Sequence, residues 1–400
     1  MHFIVVNWYF TQYFYAIFIC LAQISIIIQF NLVFFWKNKY NRHCNVTFFI
    51  GIFLFGRCLI KKNLTIKDVA AEAGVSVATV SRVLNSSGPV RPETARIVQA
   101  AIDKLEYSPN SLASSLKTER SHIIGYVVTD IRNTVFTFLM AAIQSVLWEY
   151  NYSMMLFATN GDPAKEAAIL RFISMQKIDG AILNSCTNTQ AILRLSKKIP
   201  VVLSGNDIAD PEFIGDFVDS DNHAAAYMLT SHLIANGHRR IGIINGPYNL
   251  DVSTERFRGY QAAMSAIGIH MDESSPLVCE SAFDISSGYA AADSMLHLDA
   301  ALSPTALVVA NNEMMKGVLK YCNDSRIRIP QDISVATIGN RHEMDHLYLS
   351  PTYMETNLEE MGDRLARLIL ERIETEGRLP KRVFRLPAFF HDGDTVRTLI

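Results

Sequence analysis

The chain has 400 residues, 49% of them hydrophobic, and a formal net charge of −2. The length suggests two or three domains, and the near-neutral charge excludes a polycation, so any nucleic-acid binding must come from a local patch. Six cysteines (Cys20, Cys44, Cys58, Cys186, Cys279 and Cys322) form no CxxC pair, which points to reduced cytoplasmic thiols rather than a disulfide framework or a zinc site.

Residues 1–60 are crowded with Phe, Tyr, Trp and Ile and hold no Asp or Glu; the first acid is Asp68. The stretch Phe14–Trp36 is long enough to cross a bilayer, since a span needs ~20 mostly apolar residues. Gln23, Gln29 and Asn31 interrupt it, and Lys37, Lys39 and Arg42 follow on what would be the cytoplasmic side. Val46–Phe55 is too short to span, and without a basic region ahead of the apolar run a secretory signal fits poorly. Two readings stand. One is a membrane anchor. The other, which the composition favours, is a hydrophobic N-terminal extension from a mis-placed start. AT-rich non-coding sequence would give this Phe, Ile, Asn, Lys and Tyr bias, with Leu59 or Ile60 as the true start.

From Leu64 the character changes, and Leu64–Asn85 reads as helix, tight turn, helix. Thr65 suits the N-cap, and Asp68 falls in the first turn, where the helix dipole favours an acid. Ala70 is small, as a close helix crossing requires; Gly74 suits a left-handed turn. Ser76 can cap the second helix. Val80 and Val83 lie three apart on one face and can pack back on Val69 and Ala73. This spacing is the helix-turn-helix pattern, whose second helix enters the major groove. Val77, Ala78 and Arg82 are then the outward positions. Arg82 can pair bidentately with a guanine, whereas Val77 and Ala78 offer apolar contact, for example to a thymine methyl. Ser76, Thr79 and Ser81 can hold phosphates and fix register. Thr65 and Asn85, at the ends of the motif, complete the candidate DNA contacts. A two-helix corner that binds nothing is the competing reading; a match along the whole motif argues against it.

A third amphipathic helix is expected over Pro92–Leu105, with Ile97, Val98, Ala101, Ile102 and Leu105 closing a small core. Residues 61–108 thus form an all-α headpiece. Residues 109–120 form a hinge: Pro109 breaks the chain, and Asn110–Lys117 can make one short helix. Too short to be stable alone, it should fold when a partner or DNA orders it.

The run Thr65–Asn85, then Tyr107-Ser108-Pro109-Asn110 and Leu116-Lys117, resembles the lactose-repressor/purine-repressor (LacI/GalR) family of bacterial transcriptional regulators. The resemblance covers about residues 64–400. It implies a homodimer on a near-palindromic double-stranded DNA operator, with further pairing into a dimer of dimers left open. It also implies that hinge helices pair in the minor groove, with Asn110, Leu112, Ala113, Leu116 and Lys117 at the DNA. Leu116 would wedge into a central base step, which costs unstacking but bends the DNA onto more protein. Ser114 stands where the family's hinge usually carries Arg, a departure that weakens a phosphate or minor-groove contact.

Residues 121–400 alternate short apolar runs with helical patterns. Ile123–Val128, Ser153–Ala158, Ala181–Leu183 and Val201–Leu203 read as strands, and a second set begins at Ile241 and continues with Ala306–Ala310 and Ile333–Ile338. The alternation argues for parallel sheets covered on both faces, and two sets suggest two lobes with a ligand cleft beyond the strands' carboxyl ends. The resemblance implies the same: a two-lobed α/β sensor similar to periplasmic sugar-binding proteins, which also carries the dimer interface. Asp130, Asn133 and Phe136 follow the first strand, Asn206 and Asp207 the fourth, and Asp221 and Asn222 lie at an expected crossing. Arg256 matches the family's effector-binding arginine, and Phe283 an aromatic that stacks on ligand in some members. Asn312 sits where many members carry Asp. Asn340, or Gly339 if the alignment shifts by one, replaces a ligand-binding acid. Asp, Asn and Arg with an aromatic are the chemistry of sugar recognition, and Arg256 would also suit a carboxylate or phosphate. Each loop Asp or Asn has the bland alternative of capping a helix or making a turn.

His342-Glu343-Met344-Asp345-His346 formally matches the HExxH zinc-protease signature. It follows a strand and stops at Pro351, leaving little room for the stable helix that chemistry needs. His232 and His238 read as structural, the latter in a helix C-cap with basic residues near the negative end of the dipole. The reading is therefore a ligand-controlled DNA-binding regulator, a repressor with a sugar or sugar-acid effector, with no cofactor, no metal and no catalytic role. The alternative is a membrane-tethered sugar-binding receptor anchored by residues 1–60.

Overall fold

The computed structural model describes residues 64–85, 88–105, 107, 120–376 and 379–399. The extension over 1–60 and the hinge positions Asn110, Leu112, Ala113, Ser114, Leu116 and Lys117 lie outside the described residues, and of Asn85 only the backbone is described. The chain divides into two compact units at Pro109/Asn110.

In the first unit α1 (Ile66–Ala73), α2 (Val77–Asn85) and α3 (Pro92–Leu105) follow local rules. The Asp68 carboxylate accepts from the Thr65 backbone N–H at 2.7 Å and its hydroxyl at 2.6 Å, fixing the entry to α1. Gly74 ends that helix at φ 64°, a conformation that costs a Cβ-bearing residue. Two residues on, the Ser76 hydroxyl accepts the Thr79 N–H at 3.1 Å and caps α2. Pro92 opens α3, where its missing N–H costs nothing. Val69, Ala70, Ala73, Val80, Val98 and Ala101 form the buried core, and Val83, Ile102 and Leu105 pack against it. Ile97 departs from expectation: it is 49% exposed, because Val98 and Ala101 centre the buried face of α3 and leave Ile97 at its margin.

The second unit holds two six-stranded sheets among its described residues. The first carries β1 (Ile123–Val128), β2 (Ser153–Ala158), β3 (Gly180–Asn184), β4 (Val201–Ser204), β5 (Asp216–Ser220) and β11 (Val383–Leu386). They lie in the order β11-β5-β4-β3-β1-β2, all parallel. The second carries β6 (Ile241–Asn245), β7 (Val278–Glu280), β8 (Ala306–Val309), β9 (Ser334–Gly339), β10 (Thr352–Thr356) and β12 (Ala388–His391). Its order is β12-β10-β9-β8-β6-β7, with only β12 antiparallel. Connecting helices cover both faces: α4 (Thr134–Glu149), α5 (Pro163–Met175), α6 (Thr189–Ser196) and α12 (Leu358–Glu374) on the first sheet, α7 (Asn222–Ala235), α8 (Asp251–Ser265), α9 (Ile285–Leu296) and α10 (Asn312–Asp324) on the second. Strand alternation divides each core. Ile124, Tyr126, Ile182 and Val202 meet α4 and α12, while Val127, Leu183 and Leu203 meet α5 and α6.

The chain passes between lobes after β5, after β10 and between β11 and β12. Strands β5, β7, β10, β11 and β12 were not expected from sequence. The acids Asp216 and Asp219 disguise β5. Asp216 is fully buried and held by Arg372 of α12, whose Nε and Nη2 donate to it at 2.7 Å each. Burial alone would raise the Asp216 carboxyl; the guanidiniums of Arg372 and Arg382 outweigh it and hold it below the usual carboxylate range.

Candidate functional site

Two surfaces carry the candidate chemistry. On the first unit, α2 turns Val80 into the core, so Ala78 and Arg82, one turn apart, are exposed together beside Val77, itself 40% exposed. The hydroxyls of Ser76 and Thr79 lie 2.9 Å apart at the helix start. Ser81 is half-buried. Thr65 and Ser76 thus stand at helix N-termini, where unpaired backbone N–H groups face an approaching phosphate.

In the second unit a cavity of about 580 Å³ lies between the lobes, past the carboxyl ends of β1, β3, β4 and β5 on one side and β6, β8 and β9 on the other. Its volume is that of a small-molecule site. Asp130, Asn133, Phe136, Arg256, Phe283 and Asn312 all line it. Five of the expected residues, Asn206, Asp207, Asp221, Asn222 and Asn340, do not, and Asn222 serves as an acceptor for Arg256. Asn206 instead crosses between lobes: its Nδ2 donates to the Cys186 carbonyl at 3.1 Å, and its Oδ1 accepts the Asp251 N–H at 2.8 Å. Beside it the Asp207 N–H donates to the Asp251 carboxylate at 2.7 Å. Asp221 caps α7 through the Ala224 N–H at 2.9 Å. Asn340 caps the short α11 (Arg341–Met344) through the Glu343 N–H at 3.1 Å. The capping alternative holds at these last two positions, and at Asn133, which accepts the Val135 N–H at 3.1 Å while lining the cavity, because each directly precedes a helix whose N–H groups need an acceptor. Gly339 lines the cavity in place of Asn340, and a Cβ there would run into the Asn312 amide.

Arg256 donates from Nε to Asn222 Oδ1 at 2.9 Å and from Nη1 to the Ala310 carbonyl. Burial lowers its pKa to about 10, against the pull of Asp219. Asp219, which sequence reasoning missed, lies next to the carboxyl end of β5 and also lines the cavity. Burial pushes its carboxyl up to about 6, opposed by the Ser220 N–H and by Arg256. Ser204, also missed, is 1% exposed with its Oγ unpartnered, and Asn312 is 2% exposed with both amide atoms unpartnered. Buried polar atoms without partners are costly, so these two residues carry unused hydrogen-bonding capacity at the cavity wall. No sequence signal marked Asp219, since the acids of β5 hid the strand that carries it.

The rival motifs take structural roles. His342 stacks on Phe138 of the opposite lobe, ring centroids 4.6 Å apart, and His346 Nδ1 lies 2.6 Å from the His342 carbonyl. Among the described residues no three His, Cys, Asp or Glu side chains gather to hold a metal. His238 is buried, its Nδ1 2.9 Å from Thr305 Oγ1 and its Nε2 donating to the Arg397 carbonyl at 3.1 Å; burial lowers its pKa. Among the described residues no helix is long and apolar enough to cross a membrane.

Comparison with known proteins converges on this architecture. Residues 65–110 match the bacterial regulatory proteins of the lacI family, and residues 230–396 match the periplasmic binding protein-like domain. The HTH-type transcriptional repressor PurR of Mannheimia succiniciproducens is 30% identical over 313 residues, 77% of this chain and 92% of that protein. The chain belongs to the lacI family. It is a DNA-binding transcriptional regulator whose larger unit binds a small-molecule effector, with a helix-turn-helix unit and a two-lobed, periplasmic-binding-protein-like α/β sensor. Among solved lacI-like structures, the transcriptional regulator CelR–cellobiose complex is 28% identical, with a TM-score of 0.62 over 83% of this chain and 99% of that one. The fold is shared with the lac repressor dimer bound to operator, at a TM-score of 0.73 and 23% identity over 84% of this chain and 100% of that one.

Proposed function

We propose that this regulator is a repressor that binds a near-palindromic operator as a homodimer and changes operator affinity when a sugar-like effector fills the cleft between its lobes. The observation that carries the effector reading is the pair of buried, unpartnered groups, Asn312 and Ser204, lining one cavity with Arg256 and Phe283. Residues 61–108 act as the headpiece, 109–120 as the hinge and 121–400 as the effector and dimerisation domain, and residues 1–60 are an extension outside this machinery. Arg82 reads a base, Val77 and Ala78 give apolar contact, and Thr65, Ser76, Thr79, Ser81 and Asn85 position the headpiece. Asn110, Leu112, Ala113, Leu116 and Lys117 serve the hinge at the DNA.

The homodimer reading has its own support. β2 is an edge strand, with Met155 and Leu156 partly exposed. Trp148 is 73% exposed at the end of α4, and Met175 is 68% exposed at the end of α5. Exposed apolar side chains on an edge strand and on two helices of the same lobe suit a second copy. DNA binding places the working protein in the cytoplasm, and no catalytic role follows from the cleft. The effector then acts by linkage: it closes the lobes, shifts the dimer, and changes operator affinity by the coupling free energy.

The test is a binding isotherm of the full chain on DNA flanking its own gene, at fixed salt, with and without pools of sugars and sugar acids. Competitor-resistant binding that one pool shifts is the expected result. Binding equal to that on random DNA overturns the repressor reading at this locus.

A further inference from the structure

The cavity contains a carboxyl–guanidinium opposition whose two halves belong to different lobes. Asp219 is the penultimate residue of β5 of the first sheet; Arg256 stands on α8 against the second. Both line the cavity, yet neither Asp219 nor Arg256 has an ion-pair partner among the described residues. Each keeps bonding capacity for the space between them. A guanidinium has five N–H donors. One donates to Asn222 and one to the Ala310 carbonyl, and no other described residue accepts from Arg256. The partners of Asp219 are backbone N–H groups, that of Ser220 at 2.8 Å. The unpartnered amide of Asn312 and hydroxyl of Ser204 line the same space.

The charge lining the cavity narrows the ligand further. Its titratable groups are the carboxyls of Asp130, Glu166, Asp219 and Asp284 and the guanidiniums of Arg132 and Arg256. Arg132 is already paired with Asp130 at 2.7 Å. Glu166 accepts the N–H groups of Thr187 and Asn188, and Asp284 caps α9. The remaining cation, Arg256, therefore faces a carboxyl rather than an open anion site. We propose that Asp219 is the specificity-determining residue of this cleft, selecting an uncharged, polyhydroxylated effector and rejecting carboxylates and phosphates. The proposal rests on the cleft being the effector site. A hydroxyl group can donate to Asp219 and accept from Arg256 at once. A carboxylate or phosphate only accepts. It satisfies Arg256 but meets Asp219 with no proton to offer and with like charge, in a buried space where salt screens little.

The experiment measures ligand-induced shifts in melting temperature and calorimetric affinity for the full chain and for Asp219→Asn. The probes are D-ribose and cellobiose as neutral ligands, D-gluconate and ribose 5-phosphate as anions, and the neutral and anionic fractions of a bacterial metabolite extract parted on an anion exchanger. The expected result is that only neutral material stabilises the wild-type chain, and that D219N moves the neutral-to-anion affinity ratio at least tenfold toward anions. Asp219→Ser substitutes for it if the amide variant does not fold. Stabilisation of the wild-type chain by the anionic fraction, or a ratio unmoved by either variant, overturns the proposal. If neither fraction nor any probe shifts the wild-type chain, the cleft takes no small molecule, and the effector reading falls together with the role of Asp219.

Discussion

The three helices of the headpiece come from residues 64–107, whereas the cleft draws its walls from segments between Thr129 and Met361. In the headpiece, caps, turn and core spacing are set by neighbours three or four residues apart, so each side chain's role follows from its place in the pattern. In the cleft the neighbours are distant in sequence. A loop Asn or Asp at a strand end can face the cavity, as Asp130 does, or cap the next helix, as Asp221 does. Nothing local separates the two outcomes. A short-range motif names its own residues, while a site assembled from strand ends names only its neighbourhood.

The most damaging way to break the long-range half is Arg372→Ala. It takes two charge-assisted hydrogen bonds from the buried Asp216 carboxylate and leaves it to Arg382 alone, in a strand that sequence did not reveal. Removing one member of a buried ion pair costs about 3–5 kcal/mol, to be read by chemical denaturation of the second unit's transition. A headpiece transition that moves equally would contradict the division between local and long-range stability.

Asp219 gives a pH-dependent version of the same test. Burial pushes its folded carboxyl up to about 6, above the ordinary carboxylate value, against the opposing pull of the Ser220 N–H, Arg256 and Arg385. Its contribution to stability is therefore fully present below about pH 4 and lost as pH rises through about 6, by an amount on the order of 3 kcal/mol. Asp219→Asn should flatten that part of the stability profile between pH 4 and pH 7; unchanged slopes would show that the carboxyl is not buried as described.

Arg256→Ala should leave operator binding intact and remove the effector response, measured as the ligand-induced change in operator affinity; a normal response would refute its place in the site. Arg82→Ala should weaken specific operator binding by ~1–3 kcal/mol and relax specificity at one base. Equal losses on operator and random DNA would make Arg82 a phosphate contact instead. The smallest effect sharpens the local half: Ser76→Ala removes the α2 cap and should cost about 1 kcal/mol of headpiece stability by thermal melting.

Much of the fold was legible. The strands led by Val201 and Ile241 read as buried apolar runs, and helix-turn-helix spacing placed α1 and α2 within a residue or two. What escaped had physical causes. β5 carries two acids, acceptable in a core strand only because Arg372 arrives from α12. β11 and β12 are consecutive in the chain yet join different sheets across Pro387, which no local pattern announces. Among the cavity's lining residues, Arg256, Phe283 and Asn312 were singled out by resemblance. Asp219 and Ser204 were not, since a polar residue inside or ending a strand gains meaning only from what lies opposite.

By itself the sequence determined a helix-turn-helix headpiece followed by a doubled α/β sensor, because period, caps and glycine placement are local and each carries its own energetic reason. Only the tertiary structure decided which strand-end residues share the cavity and which cap helices, and that Asp219 and Arg256 stand on opposite lobes of one space. Those facts depend on three chain crossings, and a crossing is fixed by the packing of whole sheets rather than by any few residues.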